Sequence, residues 1–179
     1  MLNKENTVFV LVDVQGKLAK IVHDSEQMIA NLKNLIQGLR ILEVPIVWLE
    51  QYPEGLGPTN EELTAHLTGM EPISKNTFSA CKNPDFIKAI EKTGRKQVLI
   101  AGIETHICVY QTATGLKDRG YEVEVVADAV SSRALLNKEI GLEKMKSEGI
   151  QWTSVEMALY ELMETAEGEQ FKRILKLLK

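Results

Sequence analysis

Two short apolar runs dominate the hydrophobic pattern of the chain. The first, Thr7–Val12, ends at Asp13, and the second, residues 98–101, ends at Gly102. A continuous apolar run bounded by a turn residue is typical of a strand that is buried on both faces, as in a parallel sheet. We therefore expect both runs to be central strands.

Helical spacing of apolar residues alternates with these strands. Asp24-Ser25-Glu26-Gln27 matches a capping box, with Asp24 as the N-cap of a helix running to about Glu43. Asn83-Pro84 predicts the start of another helix, which ends near Gly94. The other expected elements are strands at 45–49, 71–74 (an edge strand), 122–127 and 150–153, helices at 61–67, 109–116, 139–147, 155–162 (capped by Ser154) and 171–178, and a loop at 52–58.

Strands that alternate with helices indicate βαβ units. We expect a single α/β domain over residues 1–179, a three-layer α/β/α sandwich with a mostly parallel, Rossmann-like, six-stranded sheet. Ligands of such sheets bind beyond the carboxyl ends of the strands, at the topological switch point. Asp13 and Cys108 both follow predicted strands, so neighbouring strands would bring these two side chains together.

Cys108 is placed where a buried strand leads into a helix. The positive end of a helix dipole stabilises an anion, and a thiol there can have its pKa lowered from about 8.5 toward 7 or below. Such a cysteine could be a nucleophile. Alternatively, Cys108 is a small side chain that fills a gap between helix and sheet.

Asp13 and Lys75 are further candidates. The Asp13 carboxylate is expected to be half-buried at the sheet edge, where it could accept a thiol proton and return it to a leaving amine. It could equally be a turn former after a strand. Lys75 lies between apolar Ile73 and Phe78, which suggests an inward-pointing side chain, although a solvated loop lysine is the alternative.

Composition and charge narrow the function classes. The chain is 44% hydrophobic and 26% charged, with a formal net charge of −4, and no basic cluster alternates with aromatic residues. These values are typical of a globular protein and argue against nucleic acid binding. The N-terminal apolar run is too short for a signal peptide or a membrane span, and two cysteines fit a reducing compartment, so we expect a cytoplasmic protein.

Three segments carry a family resemblance. Asp13-Val14-Gln15, the stretch from Lys75 to Ser79 and the stretch from Gly102 to Val109 resemble, in order and spacing, the isochorismatase-like cysteine hydrolases. The resemblance extends over nearly the whole chain. Glu50-Gln51-Tyr52-Pro53, Leu56-Gly57-Pro58-Thr59, Glu104 and Phe171-Lys172 are most similar to the isochorismatase domain-containing proteins.

The resemblance implies a catalytic triad of Asp13, Lys75 and Cys108. Cys108 would attack a carbonyl, Asp13 would move the proton, and Lys75 would hold the thiolate and orient Asp13. It also implies a non-proline cis peptide at Ile103–Glu104 and an oxyanion hole formed by the N–H groups of Glu104 and Cys108. By analogy, Gln15, Tyr52 and Phe78 line the substrate pocket. The implied assembly is a homo-oligomer, from dimer to octamer.

The chain departs from the zinc-dependent members of the family. Nicotinamidases carry an Asp-x-His pair and a further His after the second strand, where this chain has Trp48-Leu49-Glu50-Gln51-Tyr52. The three histidines lack metal-ligand spacing, so we expect no metal and no cofactor. The resemblance favours a metal-independent hydrolase of a small amide that acts through a thioester. The alternatives are a catalytically silent oligomeric scaffold and a nicotinamidase with an unusual ligand set.

Three other features receive weaker interpretations. His106 could pair with Cys108, but local hydrogen bonding is the stronger expectation, because neighbours at a helix start rarely face each other. Cys81 is expected to be structural. The apolar stripe on the last helix, from Phe171 to Leu178, is expected to form a subunit contact rather than a membrane helix.

Overall fold

A six-stranded, entirely parallel sheet forms the centre of the molecule. The computed structural model describes residues 1–179. The strand order is β3-β2-β1-β4-β5-β6, and helices cover both faces, which gives the expected three-layer α/β/α sandwich. The strands are β1 (Thr7–Val12), β2 (Ile46–Gln51), β3 (Ile73–Lys75), β4 (Gln97–Ile103), β5 (Glu122–Ser131) and β6 (Gln151–Thr153).

The longest helices are α2 (Ser25–Ile41), of 17 residues, and α7 (Leu135–Ser147), of 13 residues. Every residue of β1 is buried, as its apolar run predicts. None of the helices is long and apolar enough to cross a bilayer. The helices are α1 (Leu18–Ile21), α2 (Ser25–Ile41), α3 (Pro53–Leu56), α4 (Glu61–Thr64), α5 (Pro84–Lys92), α6 (Tyr110–Lys117), α7 (Leu135–Ser147), α8 (Val155–Met163) and α9 (Gly168–Leu177).

Helix capping follows the sequence at two of three predicted sites. The Asn83 side chain accepts hydrogen bonds from the N–H groups of Asp85 and Phe86, and Ser154 accepts one from Met157. The capping box at Asp24 is wrong. Asp24 precedes α2 in the left-handed conformation, with φ 51°, and its side chain makes no capping bond.

Several element boundaries differ from the prediction. Residues 53–56, within the expected loop, form α3, and α1 was not predicted. Strand β5 continues past Asp128 to Ser131. Asp128 does not end the strand, because its carboxylate faces outward and accepts a hydrogen bond from the N–H of Val155 at the start of α8.

The apolar stripe of α9 packs onto this chain's own α2. Ile174 is fully buried, and Phe171, Leu175 and Leu178 are partly or mostly covered. The Gln170 side chain also donates a hydrogen bond to the carbonyl of Ile41 at the end of α2. Part of this stripe is therefore covered by an intramolecular neighbour, and the predicted subunit contact stays a prediction for its half-buried residues.

The strand order places the switch point between β1 and β4. From β1 the chain adds β2 and β3 on one side, and from β4 it adds β5 and β6 on the other side. Strand β1 pairs with both β2 and β4. A crevice opens at such a point, beyond the carboxyl ends of the strands. The segments after β1, β3 and β4 meet there.

Candidate active site

Asp13 follows β1 directly and is more buried than predicted. Only 4% of its surface is exposed, and its backbone adopts a left-handed conformation with φ 53°. Its N–H donates to the carbonyl of Leu49 on β2, which ties the end of β1 to the neighbouring strand. A non-glycine residue in this conformation is strained and requires a fixed environment. The strand end therefore holds this carboxylate in one place.

Lys75, the last residue of β3, points inward beside Asp13. Its Nζ atom lies 2.6 Å from Asp13 Oδ2 and 2.6 Å from Gln51 Oε1. Its ammonium also lies 3.3 Å from the carbonyl oxygen of Thr77. The Lys75 side chain has 0% exposure, so the solvated-loop alternative is wrong for this lysine.

Cys108 lies in a single π-helical turn, Thr105–Val109, between β4 and α6. The N–H of Val109 donates to the carbonyl of Glu104, five residues earlier. Such turns are frequent at functional sites. Gly102 permits the close approach of β4 to β1, since its φ is +122° and a Cβ there would overlap the carbonyl oxygen of Val12.

The thiol of Cys108 is less acidic than predicted. Burial, followed by the negative charge of Asp13, raises the pKa of Cys108 to about 12, although Lys75 opposes this. Burial also raises the pKa of Asp13, against the lowering effect of Lys75. The predicted lowering of the thiol pKa is therefore wrong, because desolvation and a neighbouring anion outweigh the helix start.

One oxygen of Asp13 remains available to a reacting group. Oδ2 accepts from Lys75, whereas the buried Oδ1 has no hydrogen-bond partner of good geometry. Cys108 is close enough for its thiol to affect the pKa of this carboxylate through a side-chain interaction. Asp13 can therefore accept a hydrogen bond from the Lys75 ammonium with Oδ2 and a proton from the Cys108 thiol with Oδ1.

Glu104 connects the π turn to the segment after β5. Its Oε1 atom accepts hydrogen bonds from the N–H of Arg133, at 2.9 Å, and from Arg133 Nε, at 3.1 Å. The Glu104 side chain is buried, while that of Arg133 is 60% exposed. The Ile103–Glu104 peptide bond is cis.

A cavity of about 110 Å³ opens beside these groups. The predicted pocket residues Gln15 and Phe78 line it, but Tyr52 does not, and its side chain is 53% exposed. Gln15 contributes little to a ligand, because its amide already bonds the backbone of Gln51 and Gly57. The cavity is lined by Asp13, Gln15, Leu18, Gln51, Leu56, Phe78, Ile103, Glu104, Ile107 and Cys108.

Four lining residues were missed from the sequence. Leu18, Leu56 and Ile107 come from α1, α3 and the π turn, three short elements whose apolar residues resemble ordinary core or loop positions. Gln51 ends β2, and only the register of β2 against β3, which pairs Gln51 with Lys75, shows that it belongs to the site. The one feature of the sequence that could have identified Gln51 is its position at the end of a strand.

The other candidate side chains lie outside the triad. His106 Nδ1 lies 2.9 Å from the hydroxyl of Ser132, so it does not pair with Cys108, but the bond is made to a residue 26 positions away rather than locally. Cys81 is buried against the carbonyl of Thr112. No three His, Cys, Asp or Glu side chains are grouped to hold a metal ion, and the buried Glu50 carboxylate accepts from the Thr59 N–H and hydroxyl.

Comparison with known proteins identifies the family. The model of the isochorismatase domain matches residues 7–157. The chain belongs to the isochorismatase family. It is 36% identical to isochorismatase domain-containing protein 2 of Danio rerio over 177 residues, covering 99% of this chain and 89% of that protein. Identity is also 36% to isochorismatase domain-containing protein 1 of the same organism, of which the chain spans only 62%.

Solved structures of the family share the fold. MAR1 ribonuclease of Caenorhabditis elegans superposes with a TM-score of 0.92 at 34% identity, covering 99% of this chain and 91% of that one. The YcaC gene product of Escherichia coli, an octameric hydrolase of unknown specificity, gives 0.92 at 26% identity over 98% and 89%. YcaC of Pseudomonas aeruginosa, solved with hexane-2,5-diol and covalent acrylamide, gives 0.92 at 27% over 98% and 90%.

Proposed function

We propose that this isochorismatase-family member is a metal-independent cysteine hydrolase that cleaves the C–N bond of a small amide through a thioester. The observation that carries the proposal is the buried contact between Lys75 Nζ and Asp13 Oδ2, 2.6 Å apart, directly behind the cavity that Asp13 and Cys108 line. A buried ion pair is costly to maintain and is a frequent feature of functional sites.

In the first step the Cys108 sulfur attacks the amide carbonyl carbon. The thiol is protonated in the free site, since its pKa is raised to about 12, so the proton must leave as the C–S bond forms. Asp13 Oδ1 accepts it as general base. Lys75 keeps the carboxylate oriented through its contact with Asp13 Oδ2. The tetrahedral intermediate then expels the amine, which takes the proton back from Asp13, and a thioester remains.

In the second step water hydrolyses the thioester. Asp13 removes a proton from the water, whose oxygen attacks the thioester carbon. The C–S bond breaks, the carboxylic acid leaves, and the sulfur recovers the proton from Asp13. The proton transfers of the cycle therefore use one residue, Asp13, as both base and acid.

We assign the oxyanion hole to the N–H groups of Glu104 and Cys108. Glu104 lines the cavity, and its carboxylate is bonded to Arg133. These bonds fix the position of Glu104 and therefore of its backbone N–H group. Losing one such donor typically costs roughly 3–4 kcal/mol of transition-state stabilisation. Fixed backbone donors supply this stabilisation without a metal ion.

Two relatives support a hydrolase with a reactive nucleophile. The Escherichia coli YcaC structure is that of a hydrolase of unknown specificity, and the Pseudomonas aeruginosa YcaC structure carries covalently attached acrylamide, a small electrophile that captures nucleophiles. The name of the Caenorhabditis elegans neighbour offers ribonuclease activity as a second candidate. A cavity of about 110 Å³ without a cationic lining residue, in a chain of net charge −4, favours the small amide.

Ammonia release from a panel of small carboxamides tests the proposal. We expect turnover by the wild type, none above background by Cys108→Ala, and wild-type rates for the matched variant Cys81→Ala. Intact mass after rapid quenching should show an acyl adduct on the wild type and on Cys81→Ala but not on Cys108→Ala. Turnover by Cys108→Ala at the wild-type rate would overturn the role of Cys108, whereas no turnover and no adduct with any amide would favour the silent-scaffold alternative.

We also propose a cytoplasmic homo-oligomer. Both cysteines are free, which fits a reducing compartment. The similar YcaC protein is octameric, and α7 of this chain exposes Leu136 and Ile140, at 65% and 51%. Light scattering on the wild type and on Leu136→Glu tests this, with a monomeric wild type as the contrary result.

A further inference from the structure

The walls of the cavity are predominantly apolar. Leu18, Leu56, Phe78, Ile103 and Ile107 form most of its surface, and they come from four different segments. Its volume of about 110 Å³ is well below the roughly 300–1,000 Å³ of pockets for drug-sized ligands. A substrate that fits beside Cys108 therefore has few non-hydrogen atoms, and its acyl chain lies against hydrocarbon.

No cationic group faces this cavity. The ammonium of Lys75, with three donors, is directed at Asp13, at Gln51 and at the carbonyls of Thr77 and Phe78, and the side chain is fully buried outside the lining. The guanidinium of Arg133 is bonded to Glu104 and does not line the cavity either. A carboxylate on a substrate would have no partner here.

Two carboxylates do line the cavity. Asp13 and Glu104 lie in its wall, and neither of the cations that balance them lines the cavity. Only Oε1 of Glu104 is bonded to Arg133; Oε2 makes no hydrogen bond within the protein. An anionic substrate would be repelled by the two carboxylates. It would also lose its hydration against the apolar wall without gaining a hydrogen-bond partner or a cation in return.

We propose that the acyl group accepted by this site is small, uncharged and apolar, and that the Glu104 carboxylate excludes amide substrates that carry a carboxylate. This inference rests on the amide hydrolysis proposed above and names its substrate class. Glu104 is then a specificity-determining residue in addition to a backbone donor.

A matched pair of amides tests the exclusion. 4-Oxopentanamide and succinamate have the same number of non-hydrogen atoms and differ in a terminal acetyl or carboxylate. We expect kcat/KM for the neutral amide to exceed that for the anion by about tenfold or more. Glu104→Gln, which keeps an oxygen for Arg133, should reduce this ratio several-fold. Glu122 begins β5 and so lies at the amino end of the strand, away from the site. Glu122→Gln should therefore leave the ratio of the two kcat/KM values unchanged.

Alkylation of Cys108 provides a readout that does not need turnover. Iodoacetamide and iodoacetate differ only in charge, and their relative rates are normalised to those with 2-mercaptoethanol at one mildly alkaline pH. Peptide mapping separates Cys108 from Cys81. We expect the normalised ratio to favour iodoacetamide about tenfold or more, and Glu104→Gln to reduce it.

The outcomes separate the two proposals. Turnover of both amides with a ratio near one, or normalised alkylation rates that are equal for the two reagents, would overturn the exclusion and leave the proposed hydrolysis standing. Charge-selective alkylation without turnover of any amide would overturn the hydrolysis and leave a cavity that selects neutral ligands.

Discussion

Lys75 Nζ and Asp13 Oδ2 are 2.6 Å apart, although 61 residues separate them in the chain and neither side chain is more than 5% exposed. Strand order produces this contact: β3, which ends in Lys75, pairs with β2, and β2 pairs with β1, which ends just before Asp13. Two opposite charges thus share a site from which water is largely excluded. Each charge is therefore stabilised by the other in place of water.

The stability of the ion pair can be tested by single and double substitution. Lys75→Met and Asp13→Asn should each lower the free energy of unfolding by about 3–5 kcal/mol, because each leaves a buried partner without compensation. The double variant should recover to within about 1–2 kcal/mol of the wild type, yet remain inactive. Denaturant unfolding measures all three.

The exposed pair Lys33–Glu62, 2.9 Å apart, is the matched control. Its single variants should change stability by no more than about 1 kcal/mol, because water already solvates both groups. Additive losses in the Asp13 and Lys75 double variant would show that the two side chains do not interact in solution as they do here.

Sequence reasoning located the strand ends and the family, because both depend on local pattern. The apolar runs before Asp13 and Gly102 identified β1 and β4, and their common carboxyl edge is a property of any parallel sheet. The position of Lys75 beside Asp13 depends instead on the order of three strands. That order is not encoded in any one segment, so the family resemblance had to supply it.

The pKa of Cys108 could not be predicted because burial and the orientation of neighbours decide it. A helix start alone would lower the thiol pKa, but the sequence does not show that Asp13 lies close enough to oppose this. The capping box at Asp24 failed for a related reason. Its spacing is correct, yet the left-handed backbone at Asp24 removes the side chain from the helix end.

His106 is expected to be dispensable for the chemistry. Its ring bonds the Ser132 hydroxyl, 2.9 Å away, and does not line the cavity. His106→Asn, which can keep a bond to Ser132, should retain kcat/KM within about threefold and leave the shape of its pH profile unchanged. A loss of about a hundredfold or more would instead identify His106 as a general base.

Gly141 of α7 packs against the turn that carries Cys108. A Cβ at this position would lie 2.9 Å from the backbone N and Cα of His106, so the π turn must shift to admit it. Gly141→Ala should lower kcat about tenfold or more, because small misplacements of a catalytic group are costly.

Gly38→Ala is the comparison for Gly141→Ala. The three atoms nearest to a Cβ at Gly38 all belong to the side chain of Leu159, in the packing between α2 and α8. This variant should lower the melting temperature without changing kcat, as measured by thermal unfolding and ammonia release. Equal effects of both variants on kcat would argue against a special role for the π turn.

The protonated state of Cys108 leads to a prediction about pH. With the thiol pKa raised to about 12, the reactive thiolate is a minor species at neutral pH. The rate of Cys108 alkylation should therefore rise about tenfold per pH unit from neutral pH upward, without a plateau below roughly pH 10. A plateau near neutral pH would mean that the thiolate is already formed in the free site.

Asp13→Asn should separate alkylation from turnover. The charge of Asp13 is one cause of the raised thiol pKa, while Lys75 opposes it. Removing the carboxylate while keeping the ammonium should lower the pKa of Cys108 and accelerate its reaction with iodoacetamide at neutral pH, in a sample shown to be folded by circular dichroism. The same variant should lose amide hydrolysis by about a hundredfold or more, because no base returns the proton to the leaving amine. Slower alkylation of Asp13→Asn than of the wild type would mean that Asp13 activates the sulfur in the free protein, and the concerted proton transfer proposed here would then be wrong.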